Sequence, residues 1–241
     1  MSRQTFPLHY LEIVEKNVPF YKSLPDEDKE ELRRHILIFI KEKRFEGCGG
    51  LKITDEIKVT IAAQACVLLL HRETDYYPGL SCILVYPQAY VARMREHLPG
   101  GIVTEGLDVR LGESWRRGSI VLSWDDVRRG AADIHDGQNV VFHEFAHQLD
   151  SNASRDSTPV LSNRSRYVAW ARVLQKDYEK LRRSVSLKRN TFLNQYGATN
   201  PAEFFAVATE YFFEKPKELK RLHPDLYREL KLFYQQDPAA L

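Results

Sequence analysis

The chain has 241 residues, enough for one compact unit with a substantial buried core. A hydrophobic content of 43% with 28% charged residues excludes a disordered or membrane-embedded class. A formal net charge of +2 argues against a dedicated nucleic-acid binder, which concentrates basic residues on one surface.

Met1 to Glu15 contain no cationic segment followed by an apolar stretch and a cleavage site, so no secretory signal is legible. The first clear helix is expected near Pro25. Ser23 is a candidate cap, Asp26, Glu27 and Asp28 suit the positive end of the helix dipole, and Leu32, Ile36, Phe39 and Ile40 share a face. The glycines of Gly47-Cys48-Gly49-Gly50 then break the chain. Thr54 opens a second helix, whose stripe of Ile57, Ile61, Ala65 and Leu68 is flanked by mostly apolar neighbours, the pattern of a helix buried nearly all round. Even with Gln64 tolerated, the apolar tract Ile61 to Leu70 is about half a membrane span. Cys48, Cys66 and Cys82 are odd in number and lack zinc-knuckle spacing, which implies reduced structural thiols and a cytoplasmic location.

Three β-prone runs follow, Ser81 to Tyr86, Ile102 to Val109 and Gly118 to Trp124, and predict a small mixed or antiparallel sheet. Asp136-Gly137 is a turn signal before a helix from Gln138 to Asp150, and the polar stretch Ser151 to Pro159 reads as a surface loop. Further helices are expected over Ser165 to Leu181, Pro201 to Phe213 and Lys217 to about Gln235. The fold class is therefore α+β, mostly helical with a modest sheet, in a single domain over residues 1–241. Its parts are a helical N-terminal region to about 75, a core to about 215 and a C-terminal helical segment.

His143-Glu144-Phe145-Ala146-His147 carries the chemistry. Four residues apart on a helix, the two histidines point only about 40° from one another and can reach one ion, while Glu144, about 100° round, can approach a water bound to it. Val140, Val141, Phe142, Phe145, Ala146 and Leu149 make this a buried helix, where two imidazoles need partners. Neutral imidazoles suit Zn2+, one ion, and a catalytic site needs a third protein ligand with one position left open. Asp150 lies two turns beyond His143 but is short for that role. It serves better as an acceptor that orients a histidine, or else as a solvated surface group. In the segment Tyr196 to Ala206, Asn200 is a candidate N-cap and Pro201 a first helical residue, which puts Glu203 in the first turn. Glu203 either completes a capping arrangement or ligates the metal, and Glu210, seven residues on, is the backup ligand.

Asn139 to Asp150 and Tyr196 to Phe205 resemble the Mlc titration factor A family of zinc peptidases, with a weaker similarity to the anthrax lethal factor catalytic domain. The resemblance extends through Phe45 to Gly50, Ile61 to Cys66 and Val121 to Asp126, most of the chain. It implies a zincin-like fold in which His143, His147 and Glu203 bind zinc, Glu144 is the general base and Tyr196 assists the transition state. Tyr196 is otherwise readable as an ordinary buried aromatic. The resemblance also implies a cytosolic peptidase with aminopeptidase-like action on short peptides, and a glucose-responsive repressor, Mlc, as partner.

The strand Gly118 to Ser123 is a candidate edge for an extended peptide. His135 is a remote candidate for supporting the metal site. Arg128-Arg129 and Arg182-Arg183 are solvated faces or a basic rim. A binding protein that sequesters a transcriptional repressor around a structural zinc is the competing function, and a hydrolase of non-peptide amides a third. An intact Glu144 favours the peptidase, since a structural site has no use for a base.

Overall fold

The computed structural model describes residues 5–73, 75–88, 90–98, 102–110, 112–113, 118–152 and 164–241. Helices α1 (Leu8–Asn17) and α2 (Phe20–Ser23) lead into α3 (Asp26–Glu42). Three acidic residues open α3, but Pro25 rather than Ser23 is its N-cap, and the Ser23 hydroxyl donates instead to the Phe20 carbonyl at 2.8 Å. The short strand β1 (Arg44–Gly47) was not foreseen, because Arg44-Phe45-Glu46-Gly47 has the brevity and charge of an edge strand rather than an apolar run. Helix α4 (Asp55–Val67) starts where Thr54 Oγ1 accepts from the Ile57 N–H at 3.3 Å, and every residue from Val59 to Val67 is buried.

Five more strands follow: β2 (Cys82–Tyr86), β3 (Tyr90–Leu98), β4 (Ile102–Arg110), β5 (Gly112–Glu113) and β6 (Ser119–Ser123). The four-stranded sheet has the order β1-β2-β6-β5. Phe45 stands opposite Ile83 and Ile83 opposite Ile120, both pairs parallel, whereas Gly112 opposes Leu122 in an antiparallel edge pair. The sheet is thus mixed and mainly parallel, with α4 inside the crossover that a parallel β1–β2 pair requires. The expected strand from Ile102 joins β3 in a separate antiparallel pair.

The remaining helices are α5 (Trp124–Ala132), α6 (Val140–Asn152), α7 (Arg164–Ser186), α8 (Pro201–Glu214), α9 (Pro216–Leu222) and α10 (Pro224–Tyr234). The single helix expected from Lys217 is two, because Pro224 has no N–H to continue α9 and instead starts α10. Most of the loop expected over Ser151 to Pro159 lies outside the described residues, although Ser151 and Asn152 still belong to α6.

Helix α4 touches α1, α3, α5 and α6, and α6 also touches β6 and α8, so the histidine-bearing helix runs between the sheet and the C-terminal helices. The buried cluster extends from Val14 to Tyr234. Its aromatic part stacks Trp170 on Phe233 and sets Phe205 edge-on to Phe233, joining α7, α8 and α10. The three cysteines are free, and among the described residues no helix is long and apolar enough to cross a membrane.

Candidate metal centre

The geometry begins at the start of α6. Asn139 caps the helix: its Oδ1 accepts from the N–H groups of Val141 and Phe142 at 3.1 and 3.0 Å, and its carbonyl accepts from the His143 N–H at 2.9 Å. The Asn139 amide group donates to Gln64 Oε1 on α4 and to the Gly130 carbonyl on α5, at 3.0 and 3.1 Å. One side chain therefore fixes the entry of α6 against two neighbours. Gly137 makes the preceding turn at φ +77, a conformation that favours glycine.

Helix α8 holds the same entry from the other side. Asn200 caps it as expected, accepting from the Glu203 N–H at 2.9 Å, with Pro201 in the first turn. Glu203, Glu210 and Glu214 then all act on α6 or its lead-in. Glu214 Oε2 accepts from the N–H groups of Gly137 and Gln138, both at 3.0 Å, and Glu210 Oε2 accepts from the Asn139 N–H at 2.8 Å. Burial pushes the Glu214 carboxyl up to about 9.

His143 lies between two of these carboxylates. Its Nδ1 is 2.6 Å from Glu210 Oε1, and its Nε2 is 2.9 Å from Glu203 Oε2. His147 Nε2 is 3.3 Å from His143 Nε2 and 3.4 Å from Glu203 Oε2. Burial disfavours charge on His143, but the hydrogen bonds to Glu203 and Glu210 outweigh it and push the imidazole up to about 10. Burial likewise opposes ionisation of Glu203, and the two histidines overcome it, holding that carboxyl down at about 2.

The two Nε2 atoms and Glu203 Oε2 form a triangle with edges of 2.9, 3.3 and 3.4 Å. Ligand atoms at zinc–nitrogen distances from one ion lie about 3.3 Å apart in a tetrahedron, so this donor set fits Zn2+ without any element moving far. Glu144, on the same helix, is 6% exposed. Burial raises its carboxyl pKa, opposed by the charges of His143 and His147. It lines a cleft of about 360 Å³ that also reaches His143, Asn194, Tyr196 and Val207.

His143, Glu144, His147, Tyr196, Glu203 and Glu210 are brought to one place. Glu203 lies at the cap and beside both histidines: its N–H donates to Asn200 Oδ1 while its carboxylate reaches the imidazoles. Tyr196, in a 3-10 turn at Gln195–Ala198, is 54% exposed rather than a buried aromatic, with its ring centroid 5.9 Å from that of His143. Glu210 orients a histidine instead of joining the triangle. Asp150, expected in that orienting role, is exposed, close enough to His147 for their charges to interact. His135 is exposed on the turn before α6, its N–H bonded to Asp133 at 3.0 Å.

Two surface expectations change. Strand β6 is not a free edge along its length: β2 pairs with it on one side and β5 on the other, at Val121 and Leu122. Arg128 and Arg129 pair with Asp125 and Asp126 one turn back, which neutralises the supposed basic rim at that point. Sequence reasoning missed the parts played by Asn139, Gln64 and Glu214. The available signal was the line of acidic residues at 203, 210 and 214 on the otherwise apolar helix of Phe204, Phe205, Ala206, Val207 and Phe212.

The chain is 40% identical over 240 residues to the uncharacterized protein slr2042 of Synechocystis sp., covering 99% of this chain and 87% of that protein. It is 33% identical over 227 residues to Mlc titration factor A of Pectobacterium atrosepticum, covering 93% of this chain and 85% of the relative. Against Mlc titration factor A of Serratia proteamaculans it is 32% identical over 220 residues, covering 88% and 83%. The model of the glucose-regulated metallo-peptidase M90 family matches residues 1–235, and the chain belongs to that family.

Proposed function

We propose that the chain is a zinc-dependent peptidase, acting as one domain over residues 1–241, that hydrolyses short peptides in an aminopeptidase-like manner in the cytoplasm. The observation that supports it best is the triangle of His143, His147 and Glu203 beside the buried carboxyl group of Glu144. His143, His147 and Glu203 would hold the zinc ion, which would supply Lewis acidity toward water and toward a substrate carbonyl.

The side chains do the rest. Glu144 accepts the proton of the attacking water and delivers it to the leaving amine, and its buried position raises its basicity toward that task. The Tyr196 hydroxyl donates to the carbonyl oxygen as charge develops on it. Glu210 holds Nδ1 of His143, leaving Nε2 directed at the triangle. The apolar faces of α6 and α8 limit water around these groups.

The deciding experiment is Glu144→Gln in the zinc-loaded enzyme. The variant keeps its zinc and loses peptide hydrolysis by about 100- to 10,000-fold. Unchanged hydrolysis by the purified variant rules out Glu144 as the base.

A second role is favoured by the names of the relatives, which are titration factors for Mlc. An Mlc-like repressor is accordingly assigned as a partner, alongside peptide substrate and with no direct nucleic-acid contact. Calorimetry of this chain and of Glu144→Gln with such a repressor tests it: equal binding by both separates titration from catalysis, and no binding by either removes the assignment.

A further inference from the structure

Tyr196 stands on a short arch of chain. Leu193, 2% exposed, sets one foot of the arch in the core, and the buried Gly197 sets the other. A Cβ at Gly197 would lie 3.3 Å from Leu181 on α7 and 3.3 Å from Val207 on α8, so the turn is seated directly on both helices. Between these feet, Asn194 and Tyr196 both line the cleft that reaches His143 and Glu144.

The first N–H groups of a helical turn have no carbonyl within the turn to receive them. In the 3-10 turn Gln195–Ala198 Asn194 supplies the acceptor: its Oδ1 takes the Tyr196 N–H at 2.9 Å. The Asn194 carbonyl also accepts from the Gly197 N–H at 3.1 Å, which closes the turn. On the other side, the Tyr196 carbonyl accepts from the Thr199 N–H at 3.0 Å and from Thr199 Oγ1 at 2.7 Å. Both main-chain polar groups of Tyr196 are therefore held by flanking residues. The side chain is 54% exposed, so core packing does not dictate where the phenol goes. Its ring centroid, 5.9 Å from that of His143, is placed by the main chain that carries it. Such placement matters, because a shift of about 1 Å in a reacting group costs up to about 100-fold in rate.

We propose that Asn194 is a positioning residue: by holding the Tyr196 N–H, its side-chain oxygen sets the tyrosine hydroxyl where a substrate carbonyl oxygen develops charge. This deepens the peptidase function and rests on it for the task of that hydroxyl.

The experiment is a double-mutant cycle on the full zinc-loaded chain with leucine p-nitroanilide, joined to NMR of the metal-free chain. Asn194→Ala lowers kcat by about 10- to 100-fold and leaves KM within about twofold. In the Tyr196→Phe background the same substitution changes kcat by less than about twofold, since the hydroxyl it positions is gone. Asn194→Asp keeps the acceptor and stays within about threefold of wild type, whereas a residue that gave its NH2 group to substrate would not be rescued by Asp. Equal losses in the two backgrounds, an unchanged kcat in Asn194→Ala, or no rescue by Asn194→Asp overturns the proposal. Without metal, the Tyr196 N–H exchanges about 10-fold faster in Asn194→Ala than in wild type or Asn194→Asp. Nuclear Overhauser contacts between the Tyr196 and His143 rings weaken in Asn194→Ala alone; unchanged exchange and contacts overturn the proposal. Should Asn194→Ala not fold, the wild type decides: protection of the Tyr196 N–H supports the proposal, and exchange at the rate of an unstructured peptide overturns it. Turnover and placement fail separately. No hydrolysis by the zinc-loaded wild type, with exchange and ring contacts as expected, sinks the aminopeptidase-like function and leaves the placement of Tyr196 by Asn194 standing. Hydrolysis that Asn194→Ala leaves untouched does the reverse.

Discussion

Glu210→Gln isolates the tie between α8 and the imidazole of His143. The wild-type carboxylate accepts twice, from His143 Nδ1 at 2.6 Å and from the Asn139 N–H at 2.8 Å. Glutamine in the same rotamer offers one acceptor oxygen and one NH2 group, so one of those bonds is lost or reversed whichever way the amide turns. With the oxygen toward His143, the NH2 group meets the Asn139 N–H, donor against donor. With the oxygen toward Asn139, the NH2 group donates to Nδ1 and the ring hydrogen moves to Nε2, the atom directed at His147 and Glu203. Either arrangement forfeits a buried hydrogen bond to a charged group, about 1.5–3 kcal/mol. That corresponds to the roughly 10- to 100-fold loss of metal affinity that removal of such supporting partners brings. Competition for zinc against a chromogenic chelator measures it, and thermal unfolding of the metal-free proteins separates damage at the site from general destabilisation. Zinc affinity within about twofold of wild type would refute the reasoning.

Three further outcomes are expected. Tyr196→Phe lowers kcat by about 100-fold with little change in KM, because the lost hydroxyl acts only as charge develops on the carbonyl oxygen; equal kcat values for the two proteins remove Tyr196 from the mechanism. Gly137→Ala is destabilised by about 2 kcal/mol, since φ is +77 and the new Cβ meets the Tyr211 ring at 2.9 Å. Calorimetry should find Tm lower by about 4–8 °C. His71 has Nε2 at 2.7 Å from Asp28 and Nδ1 at 3.1 Å from the Gln235 carbonyl. Burial lowers its pKa, but these partners outweigh burial and leave it above 6.5. The stabilisation is therefore fully present below pH 6.5 and is lost as pH rises through the folded-state value. Denaturant titrations of wild type and His71→Asn should differ most at pH 6 or below and converge in alkaline buffer; a constant gap across that range excludes the linkage.

The parts legible in the sequence were those set by local periodicity. His143, Glu144 and His147 share a helix, so their spacing alone states how they point. Thr54 and Asn200 cap their helices because the capping interaction spans only three residues. What escaped depends on contacts remote in sequence. Glu210 was considered as a ligand because seven residues bring it back to the face of Glu203, yet the two are about 10.5 Å apart along the axis. An imidazole fits between them, so one carboxylate meets Nε2 and the other Nδ1 of His143. Strand β1 was missed because its pairing is with β2, on the far side of α4, and its own residues carry no apolar alternation. The Asn139 to Gln64 bond joins residues 75 positions apart and has no local signature at all.

The triangle draws on donors as much as 60 positions apart, so it exists only while α6 and α8 are docked. Any ion captured there therefore favours the native ensemble by mass action: free metal at 100 times its Kd adds about 2.7 kcal/mol to the unfolding free energy. Cellular supply of a trace nutrient thereby becomes a determinant of how long the polypeptide survives proteolysis, independently of how fast it turns over substrate.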